Sequence, residues 1–152
     1  MRKVWAYLSN AALSKEQENQ ILAEGRAFVN SWTAHENPLK ADFTIHAHRI
    51  LLVTVDEDLH NASGCSIDKL LRFIKDTEKK HGLDLLNRLL VAIDGTSEMS
   101  VFHSSKVPEL IENGTLTAES LVYNTAVSNE SELAQWLQPL HTTWLKKYLR
   151  TV

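Results

Sequence analysis

The sequence predicts an α+β fold: a ferredoxin-like β-α-β-β-α-β core over about residues 1–95, with an appended β-α-β-α tail over about 96–152. Three observations carry this expectation. Two segments place apolar residues at helical spacing behind a serine. Strand-type runs stand before, between and after them. The order of these elements through Ile93 is that of the ferredoxin-like core. With 152 residues, 43% hydrophobic and 23% charged, the chain is sized for one domain with a real core, and a disordered reading fails.

Val4-Trp5-Ala6-Tyr7-Leu8 reads as the first strand, ended by Ser9-Asn10. Ser14 and Gln17 form a capping-box pattern, so a helix starts at Lys15, with Ile21, Leu22, Gly25, Phe28, Val29 and Trp32 on one face. Asn37-Pro38 ends it. The run from Phe43 to Asp56 is too long for one ordinary strand and divides at a tight turn around His46 to Arg49. Its second part, Ile50 to Val55, is almost continuously apolar, as a central strand buried on both faces would be. A polar loop, Asp56 to Gly64, leads into a second helix with Ile67, Leu70, Leu71 and Ile74 inward and Gly82 as its stop. Leu89 to Ile93 is the next strand, and a crossover from Ile50 to Ile93 would set the two strands parallel. Asp94-Gly95 turns toward Met99 to Phe102. A short helix, Lys106 to Glu112, stops at Asn113-Gly114, and a strand follows at Leu121 to Tyr123. A final helix is expected from Glu130 to Leu149, kinked or restarted at Pro139, with Leu133, Trp136, Leu137, Leu140, Trp144 and Tyr148 on its face.

Charge and motifs narrow the function. The net charge of -3 gives no general attraction to nucleic acid. The dense basic cluster Lys146, Lys147 and Arg150 suits a helix C-terminus. The lone Cys65 excludes an internal disulfide. Met1 to Trp5 shows no apolar signal core, and no stretch is long enough to span a bilayer, so the cytoplasm is the expected compartment. The absence of G-x-x-x-x-G-K-[ST], of G-x-G-x-x-G after a strand and of G-x-S-x-G argues against a P-loop ATPase, a dinucleotide oxidoreductase and a serine nucleophile elbow. No motif specifies a cofactor.

Three constellations bear chemistry. Ser63-Gly64-Cys65-Ser66 lies at a helix start, where backbone N–H groups attract anions and depress a thiol pKa. Its readings are a capped helix start with a packed cysteine, a reactive thiolate, or an anion site. Cys65 with His35 and Asp56, or alternatively with His48, His60 or Asp68, can be drawn as a nucleophile, base and orienting acid. His46-Ala47-His48 is an H-x-H pair that on one strand face, with a carboxylate from Asp56, Glu57 or Asp58, suits zinc or iron. Trp5, Trp32, Trp136 and Trp144 are read as core, or else as an exposed platform for a peptide or base.

Phe28-Val29-Asn30-Ser31-Trp32-Thr33-Ala34-His35, Val55-Asp56-Glu57, Ala62-Ser63-Gly64-Cys65-Ser66-Ile67-Asp68-Lys69 and Pro139-Leu140 with Trp144-Leu145 together resemble a family of small uncharacterised bacterial proteins sometimes labelled ABC transporter ATPase. No activity follows from that resemblance. Val107 to Leu116 with Glu119 to Tyr123 resembles the helix–glycine–strand half of bacterial GYF-like modules. It implies a proline-rich ligand or, equally, a small packing unit; only Phe102 stands where that family has paired aromatics.

The ranking is then a non-enzymatic binding or interaction protein first, a small cysteine- or metal-dependent enzyme second, and an anion- or nucleotide-binding domain third. An uncovered sheet edge also allows a homodimer.

Overall fold

The structure is a computed structural model and describes residues 1–58 and 60–149. In chain order its elements are β1 (Arg2–Leu8), α1 (Lys15–Ser31), β2 (Thr33–Ala34), β3 (Asn37–Pro38), β4 (Lys40–His46), β5 (Ile50–Asp56) and α2 (Gly64–His81). Then follow β6 (Leu90–Ile93), β7 (Ser100–His103), α3 (Val107–Glu112), β8 (Leu121–Tyr123), α4 (Glu130–Leu133) and β9 (Leu137–Pro139), with 3-10 turns at Ser104–Lys106, Leu140–Thr142 and Trp144–Tyr148. The α+β class holds.

The first sheet has the order β1-β5-β4, antiparallel throughout, with β5 in the centre. Alternation along its strands sends side chains to two different layers. Phe43, Leu51, Val53 and Val55 join Ile21, Val29, Trp32, Leu70 and Ile74 from the two long helices in one buried cluster. Val4, Leu8, Ile50 and Leu52 join Ala92, Met99, Tyr123 and Val127 in a second. β5 is therefore covered on both faces, as its unbroken apolar run requires. A third cluster, Val91, Ile93, Val107, Leu116, Val122, Leu140 and Leu145, fills the far side of the second sheet. The layers run helices, first sheet, second sheet, then α3 and the C-terminal turns.

Local chemistry sets the element ends. Ser14 and Gln17 make the expected reciprocal capping box on α1. Gly82, in the left-handed region at φ 64, ends α2. The turn joining β4 to β5 has Ala47 (φ 53) and His48 (φ 60) at its centre, and Arg49 N–H donates to the His46 carbonyl at 3.0 Å. Positive φ at both central residues is the type I′ geometry that matches the twist of a two-residue hairpin. His35 (φ 50) and Glu36 (φ 70) repeat it between β2 and β3. Neither turn has glycine or asparagine at its two central positions, so neither carries the usual sequence mark.

Two expectations are corrected. First, β6 does not complete the first sheet parallel to β5; it lies in a separate sheet of order β7-β6-β8-β9. Up to α2 the order is β1, α1, the short β2–β3 hairpin, β4, β5 and α2, and the first sheet has three strands. The outer edge of β1 instead meets residues of the 127–129 segment, through the Lys3–Asn129 bridge and a Val4 N–H to Ser128 carbonyl bond of 3.0 Å. Second, no long helix fills the C-terminal region. α4 stops after Leu133, β9 pairs with β8, and two 3-10 turns follow. Pro139 lacks an N–H and clashes with a preceding helical turn, so the chain extends into it. The apolar positions serve different layers: Leu133 and Trp136 pack on the second cluster, Leu140 and Leu145 in the third. Arg150 of the basic cluster lies outside the described residues.

Candidate functional site

The Ser63 to Ser66 segment does begin a helix, and its two serines hold that start in place. Ser63 Oγ accepts from Ser66 N–H at 3.2 Å, while Ser66 Oγ accepts from Ser63 N–H at 2.7 Å. Ser66 is buried, and its carbonyl also accepts from Trp32 Nε1–H at 2.8 Å. This bond ties the end of α1 to the first turn of α2. Cys65 is exposed in that turn. Ser63→Ala is expected to lower stability by about 1 kcal/mol, the usual cost of losing an N-cap side chain, as read from the urea unfolding midpoint.

The other expected site residues lie apart from one another in function. Asp56 closes β5, accepts from Asp58 N–H at 3.0 Å and pairs with Lys40 at 3.6 Å; the bond from the Asp58 amide, ahead of Lys40, holds its carboxyl below the usual carboxylate range. His35 sits on the β2–β3 turn and lines a shallow polar hollow of about 530 Å³ with Glu57, Asp58, His60 and Ser63. Cys65 and Asp56 do not line that hollow. His46 ends β4 and His48 is a central residue of the turn that follows, so the two do not share a strand face. His48 Nδ1 lies 2.6 Å from Glu18 Oε2 on the surface. Among the described residues, no group of three or more His, Cys, Asp or Glu side chains is placed to hold a metal ion.

His46 has a different setting. Its ring stands edge-on to Trp136 and Tyr123, at centroid distances of 4.9 and 5.6 Å, and its Nε2 lies 3.4 Å from Tyr123 Oη. Tyr123 Oη donates in turn to Asp94 at 3.4 Å. The cluster joins the edge of the first sheet to the second. Burial beside these rings depresses the His46 pKa, with Asp94 pulling the other way. A histidine held below its ordinary 6.5 binds its proton more readily when the chain is unfolded. Its contribution to stability is therefore full above pH 6.5 and is lost as pH falls from there through the depressed value. Urea midpoints between pH 7.5 and 5 should show this decline, and His46→Gln should flatten it.

The concave feature that unites strand edges with an exposed aromatic is elsewhere. β6 and β8 are joined at one end by the Ile93–Val122 pair and the Asp94 N–H to Leu121 carbonyl bond of 2.9 Å. No further pairing links them, so they diverge into a wedge of about 490 Å³. Asp94 N–H points toward β8 and Leu89 carbonyl toward β7, where it accepts from Ser104 N–H. By alternation, the backbones of Leu90 and Ala92 face β8, and that of Tyr123 faces β6; the Leu90 N–H is already engaged, donating to the Asn87 carbonyl at 3.4 Å. Leu89 and Trp144 stand at the wedge with 51% and 48% of their surface exposed. Trp5, Trp32 and Trp136 pack inward, so of the four tryptophans the platform reading fits Trp144. Arg88 also lines the wedge. Neither Arg88 nor Leu89 belongs to a motif; an exposed Leu89 could be suspected only from its place beside a strand.

Compared with protein-family models, curated proteins and solved structures, the chain gives no match. Among the described residues, no helix is long and apolar enough to cross a membrane.

Proposed function

We propose that this chain is a non-enzymatic binding protein that receives an extended peptide in the wedge between β6 and β8. The observation that carries the reading is the splayed strand pair itself. Two adjacent strands of one sheet share one pair of residues and then part, leaving backbone groups of both directed into a cleft. An inserted strand supplies hydrogen bonds to such edges, and alternate side chains find pockets on either face. Leu89 and Trp144 offer the apolar contact that makes such binding favourable; tryptophan is among the residues that most often dominate an interface. The 107–123 stretch that resembles GYF-like modules supplies β8, one wall of the cleft.

The test is selection of a random dodecapeptide display library on the full chain, followed by affinity measurement of the enriched peptides. They should bind the wild type and lose about tenfold or more on Trp144→Ser, a loss in the range of a hot-spot aromatic. Peptides whose affinity ignores both Trp144→Ser and Leu89→Ser, or a library with no enrichment, would count against the reading.

A further inference from the structure

We infer that the peptide carries a carboxylate side chain, which Arg88 receives where the wedge opens onto the outer edge of β1. This rests on the reading above and names the chemistry of its ligand. The wedge is not isolated. A hollow of about 300 Å³ runs along Lys3 to Tyr7, and a smaller one of about 50 Å³ lies by Leu8 and Leu85. All three are lined by both Arg88 and Thr125, so they form one path.

The path follows a second set of strand-edge groups. Val4 N–H points outward, to the Ser128 carbonyl. Two residues on, the strand period turns the Ala6 backbone to the same side. Among the described residues, no strand pairs with β1 there beyond the Lys3–Asn129 bridge. This is the edge that the missing fourth strand of the expected core would have covered. An extended chain leaving the wedge past Arg88 thus meets another open edge.

Charge selects the occupant. The chain has 19 acidic residues against 16 lysines and arginines. Yet the linings of the three hollows contain Arg88 and Lys3 and no carboxylate. Arg88 forms no ion pair with any of the described residues. Its planar guanidinium binds a carboxylate through two parallel hydrogen bonds. Two basic side chains are too few for a polyanion such as nucleic acid, whose binding draws on many phosphate contacts. Apolar walls with open strand edges and one central arginine fit a β-forming peptide with Asp or Glu among apolar residues.

The same dodecapeptide library separates this inference from the reading beneath it. On wild type, enriched sequences should carry Asp or Glu, and their affinity should fall as salt rises from about 0.05 to 0.5 M. Arg88→Gln should weaken them about tenfold, and Arg88→Glu should shift selection toward Lys and Arg. Unfolding midpoints check that both variants, at an exposed position, remain folded. Enriched peptides without acidic preference, or indifferent to Arg88→Gln but still lost on Trp144→Ser, would overturn the inference and leave the wedge reading standing. A library with no enrichment overturns both. So does Arg88-dependent binding of a twelve-residue oligothymidylate in place of peptide.

Discussion

Trp32→Ala should destabilise the protein by about 3–5 kcal/mol, the range found when a large buried aromatic is truncated. Trp32 is 2% exposed at the C-terminal cap of α1. Its ring packs against Phe28 at 5.2 Å and Trp5 at 6.0 Å, so it touches both the helix layer and the first sheet. Its Nε1–H reaches the Ser66 carbonyl in the first turn of α2. Trp32→Phe keeps most of the apolar contact and removes this bond, so it should cost less, with about 1 kcal/mol assignable to the hydrogen bond. A domain of this size has roughly 5–15 kcal/mol in total, so the alanine variant should show a clear loss of midpoint in urea, and near-equal costs for the two variants would show that the latch to Ser66 dominates instead of the packing.

The second large effect lies at Gly25. Alanine is the better helix former by about 1 kcal/mol, and in an exposed helix the substitution would stabilise. Here a Cβ would stand 2.4 Å from Phe43 Cδ1, and Phe43 is fully buried beneath α1. The aromatic ring has no open space to swing into, because Phe73 meets it edge-on at 6.0 Å. Either α1 rises from the sheet or the ring leaves its rotamer, and overpacking of this kind costs about 1–3 kcal/mol. Gly25→Ala is therefore expected to lower stability despite its helix propensity. Gly25→Leu should lower it further. An unchanged or raised midpoint for Gly25→Ala would show that α1 sits less closely on β4 than described.

Features written in local chemistry were legible in the sequence. The Ser14 and Ser63 helix starts and the Gly82 stop follow from residues within a few positions of one another, whereas the division of 43–56 follows only from the length of that run. What depended on distant partners was not. Leu89 to Ile93 is a buried-type run whichever sheet receives it, and nothing within it distinguishes the edge of β1 from β7 and β8. The final segment kept a helical apolar phase through Leu133, Trp136, Leu140 and Trp144, yet these side chains end in two clusters and on the surface. Periodicity records burial without recording which layer does the burying. The H-x-H pair can share a face only if it lies within a strand, and the expected turn at His46 to Arg49 is where the structure puts it, with positive φ at Ala47 and His48. The wedge had no signature at all, since it arises from the absence of pairing between two strands, and Arg88 is placed by that geometry alone.

Backbone amide exchange with one selected peptide bound puts the account to its most direct trial. Residues 89–93 and 122–126 should gain protection together, along with those around Ala6 on the outer edge of β1, while the interiors of α1 and α2 stay unchanged. Protection gained instead at the Ser63 to Ser66 helix start, or around His35 and His60, would place the ligand elsewhere and contradict strand insertion between β6 and β8.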